Sequence, residues 1–301
     1  MPEAYIVAAT RTAGGKRDGR VSGWHPVDLA AAVLDEVVRR AGVAPDAVED
    51  VIMGCVSQAG EQGLHFGRNA VLASGLPQSV PAVTIDRQCG SSQQSIHFAA
   101  QAIMSGVQDV VIAAGAESMS RVAMGSTGRW AKRPQPGSPT SPGLDRKYPQ
   151  TIFSQFAGAE MIADKWQQSR DMLDQFALTS HRKAAAAADR GAFKAEILPL
   201  KVQTDQGPET HDRDEGIRAD ASIESIGSLR TLTEGGKITA GNASQICDGA
   251  SAVLIVSEQA LKDHGLTPRA RIHNVTVTAG DPVIMLEEPL FATDRALKRA
   301  G

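Results

Sequence analysis

Short apolar runs alternate with amphipathic stretches across residues 1–119. Tyr5 to Ala9, Val51 to Val56, Ala82 to Ile85 and Val110 to Ala114 read as strands. Between them, Pro26 to Ala41, Gly67 to Ser74 and about Gly90 to Ser105 carry helical patterns. Gly42, Gly75 and Gly106 stand just after these helices, where a left-handed cap is expected. Strands that alternate with helices imply a largely parallel, layered α/β sheet.

The pattern breaks near Arg121. Residues 121–150 hold five prolines, and six basic residues (Arg121, Arg129, Lys132, Arg133, Arg146, Lys147) face a single acid, Asp145. A solvated surface loop is one reading of that charge; a site for an anionic ligand such as coenzyme A phosphates is the other. Ser169 to Arg190 reads as a helix capped by Ser169 and ended by Gly191, with Leu173, Phe176, Ala177 and Ser180 facing inward. Ala252 to Val256 returns as a strand, followed by a helix from Ser257 to Gly265. Arg271 to Ala279 alternates as a strand would, and Thr293 to Ala300 reads as a short helix.

Apolar residues make up 42% of the chain, charged residues 22%, and the net charge is −3, an ordinary globular balance that argues against binding nucleic acid or a membrane surface. No apolar run approaches the ~18 residues that span a bilayer. Tyr5 to Ala9 lacks the order of a signal peptide, so a cytoplasmic location is expected. Three scattered cysteines offer neither a disulfide framework nor metal-ligand spacing, and they fit a reducing compartment.

Cys89 lies where the run Val80 to Ile85 gives way, through Asp86-Arg87-Gln88, to a helix. At a helix N-terminus the unpaired N–H groups and the dipole favour a thiolate, and Gly90-Ser91-Ser92 leaves room for a substrate. From position alone, a nucleophile and a buried structural cysteine both remain open. Cys55 in a strand pattern and Cys247 beside Asp248 read as structural. His97 is too distant to serve Cys89 as a base, because eight helical residues rise about 12 Å. His25, His65, His181, His211, His264 and His273 are expected to be exposed or capping.

Gln88-Cys89-Gly90-Ser91-Ser92-Gln93-Gln94 resembles the nucleophile segment of the thiolases, the acyl-CoA C-acyltransferases. Other blocks are similar to that family and come in the same order: Arg11-Thr12, Gly75-Leu76-Pro77, Gly115-Ala116-Glu117-Ser118-Met119-Ser120, Gly158-Ala159-Glu160 and Asp214-Glu215-Gly216-Ile217-Arg218. Thr239-Ala240-Gly241-Asn242-Ala243-Ser244 followed by Asp248-Gly249-Ala250 is the most specific. The family's later Asn-Glu-Ala-Phe and Gly-His-Pro motifs, and its second cysteine before a glycine run, do not occur in residues 1–301.

The resemblance implies a layered α/β/α core. Residues 1–120 would form an N-terminal core, 121–245 a loop domain that binds coenzyme A, 246–268 a return to that core, and 269–301 the start of a largely missing second core domain. It implies that Cys89 attacks a 3-ketoacyl-CoA, with Arg218 and Ser244 lining the coenzyme A site. Coenzyme A would be a co-substrate, with no permanent cofactor or metal, in a homodimer or tetramer acting in fatty acid β-oxidation. The chain alone is expected to be a poor enzyme. A non-catalytic acyl-CoA- or lipid-binding protein, or a subunit completed by another chain, is the alternative. The family's usual histidine and methionine appear as Ser154 and Gln155, which looks more like a bacterial degradative subgroup that includes enzymes of bulky acyl chains.

Overall fold

The computed structural model describes residues 2–128 and 139–301. These divide into two compact units. The first takes in residues 2–128, Phe193–Gly216 and Ile246–Ile272; the second takes in residues 139–192, Ile217–Gln245 and His273–Gly301.

The first unit opens with strands β1 (Ala4–Thr12) and β2 (Gly15–Lys16), then helix α1 (Pro26–Ala41), β3 (Asp50–Gly54), α2 (Phe66–Ala73), β4 (Ala82–Ile85), α3 (Ser91–Met104) and β5 (Val110–Ser118). Helices α4 (Pro142–Lys147), α5 (Gln155–Lys165) and α6 (Arg170–Asp189) follow, then β6 (Ile197–Leu198), β7 (Leu200–Thr204), β8 (Gly207–His211) and α7 (Ile223–Gly227). Strand β9 (Cys247–Ser257), α8 (Glu258–Asp263), β10 (Ala270–Arg271) and α9 (Glu288–Ala300) complete the order.

The main sheet runs β10-β1-β9-β5-β3-β4. Strand β3 pairs parallel with β4 and β5, whereas β9 lies antiparallel to both β5 and β1. The sheet is therefore mixed rather than largely parallel. A helical crossover forces its two strands parallel, and α2 and α3 provide such crossovers; β9 arrives after a long insertion and is free of that constraint.

Strand alternation divides the core into two layers. Ile112, Ala114, Met53, Leu254 and Val256 join Leu29, Val33, Leu34 and Val37 of α1 and Phe66, Ala70 and Val71 of α2 in one cluster. The intervening Ile52, Val111, Ala113 and Ile255 are buried outside it, as are Ala99, Ala100 and Ile103 of α3, which packs on β5, β3 and β9. The result is the α/β/α layering that the resemblance implied.

Gly42, Gly106, Gly191 and Gly265 adopt positive φ, as their places after helices predict. Gly75 does not. Ser74 ends α2 in an extended conformation, and the Gly75 N–H donates to Asp35 Oδ1 at 2.7 Å. Arg271 to Ala279 is not one strand either. Only Ala270–Arg271 pairs with β1, because the chain passes into the second unit after Ile272 and the next residues meet no strand.

In the second unit, α9 begins at Glu288, ahead of the expected Thr293, with Pro289 in its first turn. The inward face of α6 is also turned from the expected one. Phe176 is 78% exposed, while Asp174, Leu178, Ala185 and Ala187 are buried. An ion pair sets that face: Asp174 accepts from Arg170 Nε at 2.6 Å and from Asn242 Nδ2 at 2.9 Å. A buried acid held in this way is invisible to a search for apolar periodicity.

Leu254 is completely buried in β9 between β1 and β5. Leu254→Ala is expected to cost about 2–5 kcal/mol, measured as a lower urea midpoint for the first unit. A midpoint within experimental error of the wild type would place the core elsewhere.

Candidate active site

Cys89 is exposed, on the turn between β4 and α3. The turn is tied down by short hydrogen bonds. Gln88 has φ +48°, and its N–H donates to Asp86 Oδ1 at 2.6 Å. The Ser91 hydroxyl donates to the Gln88 carbonyl at 2.6 Å and accepts from the Arg87 N–H at 2.9 Å. Gly90 is the N-cap of α3 and no side chain caps this helix; its first N–H, that of Ser91, donates to the Gln88 carbonyl at 3.0 Å.

Two glycines let that first turn approach the sheet. A Cβ on Gly54, the last residue of β3, would come within 2.5 Å of Ser92 N and 2.6 Å of Ser91 C. A Cβ on Gly115 of β5 would strike the Ser92 side chain, whose Cβ would be 2.8 Å away. Only residues without a side chain fit here. Gly54 and Gly115 are direct partners in the β3–β5 ladder, so one bare patch of sheet receives the helix end that follows Cys89.

Where β3 and β5 end, there is a polar cluster that periodicity did not reveal. Glu117 accepts from the Val56 and Ser57 N–H groups at 2.8 and 3.1 Å and from Gln62 Nε2 at 3.0 Å. Gln62, wholly buried, also donates to the Ser57 carbonyl and accepts from the Ser118 N–H at 2.7 Å. Asp248, buried in β9, accepts from the Ser120 N–H and hydroxyl at 2.9 and 2.6 Å. The one available sign was a run of polar residues directly after apolar strands.

The three thiols have different surroundings. Burial pushes the Cys55 thiol up to about 12, helped by the negative charge of Glu117. The Cys247 thiol is also raised, first by desolvation and then by Asp248 and Glu117, although the residue has exposed surface.

Among the histidines, His25 and His65 cap α1 and α2, as expected. His211 does not follow expectation. It is buried, with Nε2 3.2 Å from the Ala13 carbonyl oxygen. His97 is buried on α3, where desolvation and then the charge of Arg87 lower its pKa. His181 Nδ1 accepts from the Arg218 N–H at 3.2 Å. No group of acids, histidines and cysteines among the described residues could hold a metal ion.

Arg218 and Ser244 belong to the second unit, Cys89 to the first. Both are exposed. The segment that leads to Ser244 is held firmly: Asn242 Oδ1 accepts from the Thr239 N–H at 2.8 Å, while Glu160 accepts from the Lys237 and Ile238 N–H groups at 2.9 Å each. Of the basic segment, Arg121 forms an ion pair with Glu61, and Lys147 lies 5.6 Å from the ring centroid of Tyr148. Arg129, Lys132 and Arg133 lie outside the described residues. No helix among the described residues is long and apolar enough to cross a membrane.

Comparison with known proteins places these features in a family. Residues 4–259 match the family described as Thiolase, N-terminal domain. The chain is 48% identical over 303 residues to the steroid 3-ketoacyl-CoA thiolase FadA6 of Mycobacterium tuberculosis, covering all of this chain and 73% of that protein. It is 38% identical to the 3-ketoacyl-CoA thiolase of Bacillus subtilis, covering all of this chain and 78% of the relative. The crystal structure of human mitochondrial 3-ketoacyl-CoA thiolase superposes with a TM-score of 0.88 at 35% identity, over all of this chain and 77% of that one.

Cys89 is expected to take iodoacetamide before Cys247, and Cys247 before Cys55, since only the thiolate reacts and Cys55 is held at about 12. Peptide mass spectrometry after limited labelling at neutral pH reads the order. Early modification of Cys55 would contradict it.

Proposed function

The chain belongs to the thiolase family, and on that premise we propose that it carries the nucleophile half of a 3-ketoacyl-CoA thiolase, with Cys89 as the residue that becomes acylated. The observation that supports this most is the exposed Cys89, set on a pinned turn against two glycines at the N-terminus of α3. The family relationship makes the chain an acyltransferase of acyl-CoA substrates. The finer roles below are our reading.

In the thiolysis direction the Cys89 sulfur bonds to the 3-keto carbon, and the bond between C2 and C3 then breaks. The electron pair leaves on acetyl-CoA as an enolate that takes up a proton. The thiolate of a second coenzyme A next attacks the Cys89 acyl carbon, a carbon–sulfur bond forms to coenzyme A, and Cys89 is released. Each acyl-transfer step passes through an oxyanion that backbone N–H groups stabilise well, and the Cys89 N–H is one candidate donor. Arg218 contributes charge to binding coenzyme A, and Ser244 lies along its pantetheine arm. The 48% identity to a steroid 3-ketoacyl-CoA thiolase, with Ser154 and Gln155 in place of the usual histidine and methionine, favours a bulky acyl chain.

Residues 1–301 carry no Gly-His-Pro motif to activate coenzyme A, and each acid or base in such a reaction is worth about 10²–10⁴-fold in rate. The chain by itself is therefore expected to take an acyl group on Cys89 but to turn over slowly. Incubation with acetoacetyl-CoA should leave an adduct on the Cys89 peptide that is absent from Cys89→Ala. An adduct on another residue, or none, would remove Cys89 from the mechanism. Rapid steady turnover by a monomer would contradict the division of roles.

Arg218→Ala is expected to weaken coenzyme A binding by about 1.5–3 kcal/mol, the range for a charge-assisted contact, and most strongly at low salt. Calorimetry that finds unchanged affinity would show that the anion is held elsewhere.

A further inference from the structure

On the reading that Cys89 is the nucleophile, we infer that Ser91 is a positioning residue, whose buried hydroxyl aims the Cys89 sulfur by holding the turn that carries it. Ser91 is only 4% exposed. It is the first residue of α3, yet its hydroxyl does not serve the helix. A capping serine precedes its helix and accepts from N–H groups further along it. The Ser91 hydroxyl instead reaches backwards, accepting from the Arg87 N–H at 2.9 Å and donating to the Gln88 carbonyl at 2.6 Å. Its own N–H donates to the same Gln88 carbonyl at 3.0 Å.

A hydroxyl has one proton to give and lone pairs to receive, so both capacities are used on the two residues that precede Cys89. Gln88 needs such a hold. With φ at +48° it sits in the left-handed region, which a glutamine leaves when nothing restrains it. The rotation that relaxes Gln88 would swing the next residue, Cys89. Ser91 is a firm anchor for this purpose, because its backbone lies against Gly54 and leaves no room there for even a Cβ. A further side-chain restraint on the turn comes from Asp86, which is itself exposed.

A residue that aims a nucleophile differs in its effects from one that merely stabilises the fold or activates the thiol. Alkylation by iodoacetamide tolerates many approach directions. Acyl transfer from a bound thioester does not, and a displacement of about 1 Å can cost roughly 10²-fold. The probe is acetyl-CoA: the Cys89 sulfur bonds to the acetyl carbon, the acetyl–sulfur bond of coenzyme A breaks, and coenzyme A leaves as its thiolate.

Ser91→Ala should keep the wild-type thermal midpoint within a few degrees and the Cys89 alkylation rate within about threefold, while acetylation of Cys89 falls by about 10²-fold. Ser91→Thr, which restores a hydroxyl, should recover most of the acetylation. Acetylation of Ser91→Ala at the wild-type rate would overturn the role of Ser91 alone. An equal fall in alkylation and acetylation would also overturn it, because aim would then not be the quantity lost. A wild-type protein that takes no acetyl group would sink the nucleophile reading, and this inference with it.

Discussion

The structure around Cys89 depends on a steric constraint: the first turn of α3 lies against the sheet at a point where neither Gly54 nor Gly115 can carry a Cβ. Side chains ordinarily hold packed layers apart, by about 10 Å between stacked sheets. Here two glycines facing each other across parallel strands remove that spacing locally. The helix end lies close against the strands, and the preceding turn, Asp86 to Cys89, is exposed. The exposure of Cys89 and the strained φ of Gln88 both lie in that preceding turn. The cost of the strained residue, about 1–3 kcal/mol for such a conformation, is offset by the hydrogen bonds of Ser91 and Asp86.

Within each unit, ion pairs and buried carboxylates join segments that are far apart in sequence. In the first unit Arg11 contacts Asp214 through both nitrogens of its fork, at 2.7 and 3.1 Å, and lies 5.4 Å from the ring centroid of Phe193. Burial alone would raise the Asp214 carboxyl, but Arg11 and the Gly14 N–H outweigh it and hold the pKa below its usual value. Asp248 binds Ser118 and Ser120 in the same manner. In the second unit, Glu160 secures the backbone at Lys237 and Ile238, just before the segment that ends at Ser244. All three acids, Asp214, Asp248 and Glu160, lie within the sequence blocks that mark the family.

The parts of the fold governed by periodicity and capping were legible in the sequence. Helix α1 runs from Pro26 to Ala41 as its pattern and Gly42 require, and β4 spans Ala82–Ile85. The misjudged parts were those that depend on polar interactions or on topology. On α6 the buried face holds Asp174 and Leu178 rather than the expected Phe176 and Ser180. Ser74 leaves α2 extended and the Gly75 N–H goes to Asp35, so Gly75 forms no left-handed cap. The antiparallel course of β9 is a property of topology that no local pattern contains. The place of Cys89 between a strand and a helix was legible too. Gln62 and the backward bonds of Ser91 were not, since buried hydrogen bonding leaves no periodic trace.

The claim on which this account rests is that a bare patch of sheet presents Cys89. A steric rescue tests it directly. Gly115→Ala places a methyl against the Ser92 side chain, whose Cβ would be 2.8 Å away, and should displace the turn. Ser92→Gly in the same protein removes the obstructing side chain. The account predicts that acylation of Cys89 by acetyl-CoA falls at least tenfold in Gly115→Ala and returns toward the wild-type rate in the Gly115→Ala, Ser92→Gly double variant, both proteins remaining folded by circular dichroism. A folded Gly115→Ala protein that acylates at the wild-type rate would contradict it.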